Sequence, residues 1–242
     1  MNTIPKVIHY CWFGGKEKPQ LINDCISSWK ENLPDYKIVE WNEKNFNIEE
    51  FDFSTKAYNA KKWAFVADYC RIWVLYNYGG IYLDTDMEVL KTLDEFINYE
   101  AFAGIERDKI INAAILGAKA KNEFIKNIIN YYNNINFMDY IDDLEKIAIP
   151  NIITELAEHE GYVGNKKIEI VRNIITIYSK EYFYPKNHSW EKAIISQNTY
   201  TIHHYEGSWR GTTKIYKSKL KQILINIFGY ERVIKLTDQL KK

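Results

Sequence analysis

Apolar and polar residues change their spacing several times along this chain, and each change marks an element. Lys6 to Cys11 alternates β-branched and aromatic residues and reads as a buried strand. Pro19 to Asn32 sets Leu21, Ile22, Cys25, Ile26 and Trp29 at helical spacing, with Pro19 suited to a first turn. Leu33-Pro34-Asp35 is a turn and Tyr36 to Trp41 a second strand, so the opening predicts a βαβ unit and parallel pairing. Thr55 to Tyr78 predicts one long helix or two, with Trp63, Val66, Ala67, Cys70, Trp73 and Val74 on one face and Gly79-Gly80 as the stop. Ile81 to Leu83, Glu100 to Gly104 and Ile110 to Gly117 read as strands. Asn122 to Asn134 and Asn151 to Gly161 read as helices, Ile168 to Tyr184 as short strands, and Tyr200 to Tyr205 as the last strand. From Thr213, Ile215, Leu220, Ile223, Leu224, Ile227 and Phe228 form a helical stripe, broken at Gly229. The expectation is one α/β domain over residues 1–212, with an open, mainly parallel sheet and flanking helices, followed by a helical extension over 213–242.

Composition refines this picture. With 242 residues and 46% hydrophobic content, the chain can build one large core. Aromatics reach 15%; most suit core packing, and a few suit platforms for sugar rings or a nucleobase. Net charge is zero, so bulk charge gives no sign of nucleic-acid binding. The distribution is uneven: Arg210 to Lys242 holds nine Lys/Arg against Glu231 and Asp238, so the tail carries +7 and the first 209 residues −7. That basic stripe predicts either packing on the domain or peripheral contact with anionic membrane. Cys11, Cys25 and Cys70 are odd in number and lack paired spacing, which favours a reducing compartment. Ile4-Pro5-Lys6-Val7-Ile8 leads straight into a strand with no cleavable signal, and no apolar run reaches membrane-spanning length. The expected location is cytoplasmic, or peripheral on the inner face of the membrane.

The most informative octet is Gly79 to Asp86, Gly-Gly-Ile-Tyr-Leu-Asp-Thr-Asp. Its apolar run ends in two carboxylates one residue apart. If the strand continues through them, Asp84 and Asp86 share a face and can grip one hard divalent cation. Asp68 and Arg71, three apart on the preceding helix, share a side of it; set amid Phe65, Val66, Tyr69 and Trp73, such charges are paired or functional.

The segment Trp63 to Asp86, WAFVADYCRIWVLYNYGGIYLDTD, resembles the core of glycosyltransferase family 32, the group with a DXD sugar-binding region, whose core is shared by the large glucosylating toxins. The opening HYCWFGG, His9 to Gly15, and the closing IHHYEGSW, Ile202 to Trp209, resemble the same family in the same order. The resemblance implies a GT-A fold and a metal-dependent transferase that retains configuration. The donor would be a nucleotide sugar, a UDP-hexose. The acceptor would be a surface glycan or lipid-linked glycan of the capsule or exopolysaccharide type. It also implies roles: Asp84 and Asp86 as ligands of Mn²⁺ or Mg²⁺, and His204, five residues before Trp209, as a third ligand. Asp68 and Arg71 would bind donor sugar and phosphate, Trp12 would stack on the base, and Trp209 would reach the diphosphate. Tyr82 and Asn112 would line the donor site. The catalytic set is then Asp68, Arg71, Asp84 and Asp86. An imidazole beside two carboxylates favours Mn²⁺.

No general base stands out; the resemblance implies front-side attack, in which the leaving phosphate takes the acceptor proton. Glu106 and Asp108, after a strand, are candidate acceptor contacts. Two related readings stay open, a toxin-like transferase acting on protein and an inactive sugar-nucleotide-binding module. An Asp-x-Asp phosphatase fits poorly, because Met87-Glu88 follow the pair and His-His-x-x-x-x-Trp goes unexplained.

Overall fold

The computed structural model describes residues 3–206; Trp209 and the 213–242 extension lie outside them. The central sheet has seven strands: β1 (Val7–Cys11), β2 (Lys37–Trp41), β3 (Gly80–Leu83), β5 (Ala101–Arg107), β6 (Ile110–Ala118), β7 (Ile168–Val171) and β8 (Ile175–Tyr178), in the order β2-β1-β3-β6-β5-β8-β7. β1 pairs in parallel with β2 and β3, and β5 with β8, while β3–β6, β5–β6 and β7–β8 are antiparallel. Followed across the sheet, β2, β1, β3, β5 and β8 run one way and β6 and β7 the other, so the expected mainly parallel α/β architecture is present.

Helices cover both faces. α1 (Gln20–Asn32) buries Cys25 together with Ile22, Ile26 and Trp29, the last three in a core with Ile8, Tyr10, Ile81 and Leu83. On the other side α2 (Asp52–Asn59), α3 (Trp63–Tyr78), α4 (Glu123–Asn133) and α5 (Ile149–His159) enclose a larger core. The predicted 55–78 helix is thus two, split at Lys61, whose φ is 56°. α6 (Lys180–Phe183) is a single helical turn where strand was expected, and burial of Tyr182 and Phe183 accounts for it.

A second sheet pairs β4 (Met87–Val89) with β9 (Thr201–His203), antiparallel, with Met87 opposite His203. Side chains of α1 hold β4's other edge: Trp29 Nε1 donates to Met87 O at 2.6 Å, Asn32 Nδ2 to Val89 O at 3.0 Å, and Val89 N donates to Ser28 Oγ at 3.0 Å. A strand of three residues is stable here because every ladder group finds a partner.

The turn from α3 into β3 needs glycine. Gly79 and Gly80 have φ of 65° and 111°, and a Cβ on Gly80 would lie 2.7 Å from Val7 O and 2.9 Å from His9 Nε2. His9, 3% exposed, ties this turn to β1: its Nε2–H donates to Gly79 O at 2.9 Å, and its Nδ1 accepts from Trp41 Nε1–H at 3.0 Å. Both bonds need the neutral ring, since a proton on Nδ1 would face the indole N–H. Burial lowers the His9 pKa to about 4, only partly offset by the bond to Gly79. The native pKa is depressed, so stability is complete above about pH 6.5 and is lost as pH falls toward 4. The expected loss from this residue is about 2 kcal/mol between pH 7 and pH 5. Urea unfolding at both pH values checks it: His9→Gln, which can still donate and accept, flattens the pH dependence by that amount.

Candidate active site

β3 stops at Leu83, and Asp84 to Asp86 form a turn closed by Met87 N donating to Asp84 O at 3.0 Å. The two carboxylates therefore converge through a turn rather than through strand alternation, correcting the expectation that the strand carries both. Asp84 N donates to Ala114 O at 2.7 Å, which fixes the turn to β6. β6 is irregular at that point: Ala103 pairs with Leu116 but Gly104 with Asn112, so Ala113, Ala114 and Ile115 leave the β5–β6 ladder, while Ile115 still pairs with Leu83 of β3. Their freed carbonyls are used, Ala114 O by Asp84 N and Ala113 O by the Arg71 guanidinium at 2.7 Å.

Arg71 is 5% exposed, and its Nη2 lies 3.0 Å from Asp68 Oδ1 and 3.0 Å from Asp84 Oδ1. A surface i,i+3 pair would be worth a few tenths of a kcal/mol. This is instead a buried three-residue network carrying the motif's first Asp. The guanidinium lies 4.4 Å over the Tyr82 ring. Tyr82 is 1% exposed, so it supports Arg71 from beneath and is no open donor contact, a correction to its expected role. Arg71 Nε is buried without a hydrogen-bond partner among the described residues. Burial pushes the Asp68 carboxyl up to about 6 against the pull of Arg71, and the Ile149 N–H at the start of α5 also favours its charged form.

The histidine expected at the metal is corrected by one residue. His203, not His204, reaches the carboxylates: its Nε2 is 3.3 Å from Asp86 Oδ1, and ligand atoms of Asp84, Asp86 and His203 all lie within 4.8 Å of one another. His204 turns to the other face, where its Nε2 meets Glu88 Oε2 at 2.8 Å and its Nδ1 meets Lys186 Nζ at 3.5 Å. Adjacent strand residues face opposite ways, and counting back from Trp209 assumed one spacing between β9 and the closing motif. Asp86 Oδ2 also accepts from Glu206 N at 2.9 Å. Burial would raise the Asp86 pKa, yet His203 and that N–H hold it at about 2. Asp84 moves the other way, raised by burial and by Asp86 although Arg71 opposes this. On His203, burial opposes the charged ring but the carboxylates prevail and raise its pKa. In this arrangement an imidazolium proton balances charge that a cation can balance. Two carboxylates and an imidazole whose Nδ1 is itself buried and without a partner among the described residues fit a divalent metal of Mn²⁺ type.

Trp12 and Asn112 have other partners. Trp12 is half-buried after β1, its Nε1 donating to Lys16 O at 2.6 Å and Lys18 Nζ standing 5.5 Å over its ring. Asn112 is 9% exposed and its Oδ1 accepts from Ala114 N at 2.8 Å, so it braces the β6 bulge. Sequence reasoning missed Lys186, a buried ammonium on the chain after α6 whose only side-chain hydrogen bond among the described residues is to His204. It also missed Tyr205, whose ring packs on His203 with centroids 4.1 Å apart. Tyr205's φ of 57°, unusual for a non-glycine residue, had no signal in the sequence beyond its place after the His pair.

Fold and site together define a class, and residues 19–103 match the family described as glycosyltransferase sugar-binding region containing DXD motif. These residues are thus similar to the sugar-binding region of the DXD glycosyltransferases, the family whose motifs the chain resembles. Among curated relatives, inositol phosphoceramide mannosyltransferase 3 of Schizosaccharomyces pombe is 29% identical over 137 residues, 52% of this chain and 36% of that protein. Lactosylceramide 4-alpha-galactosyltransferase of Rattus norvegicus is 39% identical over 72 residues, 28% of this chain and 19% of that one. The chain therefore spans about a third or less of the length of these relatives. The PaToxG glycosyltransferase shares the fold, with a TM-score of 0.55 at 18% identity over 66% of this chain and 71% of that one.

Proposed function

We propose that this protein is a metal-dependent hexosyltransferase that moves a sugar, with retention of configuration, from a nucleotide-sugar donor to a glycan or glycolipid acceptor. The observation that carries this reading is the convergence of Asp84, Asp86 and His203 beside the buried Asp68–Arg71–Asp84 network, of which Asp68, Arg71, Asp84 and Asp86 lie within the matched residues 19–103. Relatives named as mannosyl- and galactosyltransferases acting on ceramide lipids support a hexose as the transferred group and a glycolipid as acceptor. A UDP-hexose is our proposed donor.

Asp84, Asp86 and His203 would hold the divalent cation, which neutralises the diphosphate as the sugar–phosphate bond breaks. Arg71 supplies a fixed positive charge whose position does not change during the reaction, since three acceptors already hold it. Asp68, nearly sealed behind Arg71, keeps that guanidinium in place. Trp12 offers one face to a base. The protein's contribution is positioning and charge stabilisation rather than a nucleophile.

Two measurements test the reading. The first is thermal-shift and hydrolysis screening of UDP-Glc, UDP-Gal, UDP-GlcNAc and GDP-Man, each with and without Mn²⁺. The expected result is one donor that stabilises and turns over only with metal, because a ligand of the native state alone raises stability. No stabilisation by any of the four would overturn it. The second is Mn²⁺ titration of two variants. His203→Ala is expected to weaken Mn²⁺ binding by about tenfold or more, and His204→Ala much less, because only His203 faces the carboxylates.

A further inference from the structure

The cleft holds one carboxylate that neither the metal set nor the Arg71 network uses. β5 pairs Ile105 with Ile111 and Arg107 with Ile110, so Glu106 is an extra residue on its strand, the geometry of a bulge. Bulges re-aim a side chain, and this one turns Glu106 inward while Arg107 and Asp108 stay exposed. Asp108, the other acceptor candidate, lines a separate open pocket with Lys166, Lys167 and Lys180. Half-buried, the Glu106 carboxylate is near enough for its charge to raise the pKa of Tyr205, His203 and Tyr184. The Tyr205 hydroxyl lies within hydrogen-bonding reach of two oxygens, the Lys186 carbonyl at 3.1 Å and Glu106. Its ring packs on His203, and its backbone is held in the left-handed region, a conformation that persists where surrounding structure imposes it.

Resting on the transferase reading above, we infer that Glu106 and Tyr205 form the acceptor subsite, in which Glu106 receives hydrogen bonds from hydroxyls of an uncharged sugar. Three observations support this assignment. Glu106 lies outside the three groups whose ligand atoms converge, and it carries no ion pair among the described residues. It enters from the end of β5, whereas the donor-side charges come from α3 and the turn after β3. An uncompensated carboxylate repels a diphosphate and any phosphate-bearing ligand, but it accepts well from neutral hydroxyl groups. Glu106 takes no proton in this role. It orients the acceptor, and Tyr205, wedged between it and His203, fixes the distance from acceptor to metal set.

The test is steady-state transfer by the full chain, with Mn²⁺ and the donor found by the screen, to octyl β-galactoside and octyl β-glucoside as neutral acceptor probes. Glu106→Gln is expected to raise the acceptor KM about tenfold or more, the scale of one hydrogen bond to a charged group, while the donor KM moves less than about twofold. Glu106→Asp is expected to recover part of the loss. Tyr205→Phe, a smaller change to the fold, is expected to raise the acceptor KM several-fold by the same split. A rise in donor KM with acceptor KM unchanged in the folded variants would overturn the inference and leave the transferase reading standing. A wild-type protein that neither binds nor hydrolyses any of the four donors would overturn both.

Discussion

Asp86→Asn is expected to abolish donor turnover, by at least about 100-fold or about 2.7 kcal/mol of barrier, while the protein stays folded. The amide keeps the size of the side chain and can still accept from Glu206 N. It loses the charge that balances His203 and that would bind a cation. Far-ultraviolet circular dichroism checks the fold and a donor-hydrolysis assay the rate. Near-normal turnover in saturating Mn²⁺ would remove Asp86 from the metal set.

Arg71→Met is expected to be the most damaging substitution for stability. Asp68 and Asp84 both lean on one guanidinium, and removing it leaves a buried and a half-buried carboxylate without their shared counter-charge. Breaking a buried ion network by deleting one partner costs about 3–5 kcal/mol. In a domain of this size each kcal/mol shifts Tm by about 2–4 °C, so a fall of about 10 °C follows. Asp68→Asn added to Arg71→Met is expected to recover part of it, because one unbalanced charge disappears; the two residues are close enough to couple. A loss below about 1 kcal/mol would show that Arg71 behaves as an ordinary surface cation.

The legible parts of the fold are those that carry a period and a stop. α1 and the β1–α1–β2 opening followed from apolar spacing and a proline at the first turn, and α3 ended where Gly79-Gly80 required. β4 was not legible. It is three residues long, its partner β9 lies more than 100 residues away, and its other edge is satisfied by Ser28 and Asn32, which read as an ordinary helix surface, and by Trp29, which read only as part of an apolar stripe. The choice between His203 and His204 depended on that pairing, so motif counting missed it by one. Asp68, Arg71, Asp84 and Asp86 were legible because charges set among bulky apolar residues need a reason to be there. Glu106, Tyr205 and Lys186 gain their places from a bulge, a left-handed residue and a loop, none of which leaves a periodic signal in the chain.

The central claim is that Asp84, Asp86 and His203 form the cation site at which a nucleoside diphosphate leaves. Anomalous diffraction at the manganese edge, from crystals grown with Mn²⁺ and UDP, measures it most directly. The account predicts one manganese peak bounded by Asp86 and His203, with the diphosphate oxygens on its open side and Arg71 still between Asp68 and Asp84. A peak at Glu88 and His204, or UDP bound with no manganese beside Asp86, would contradict it.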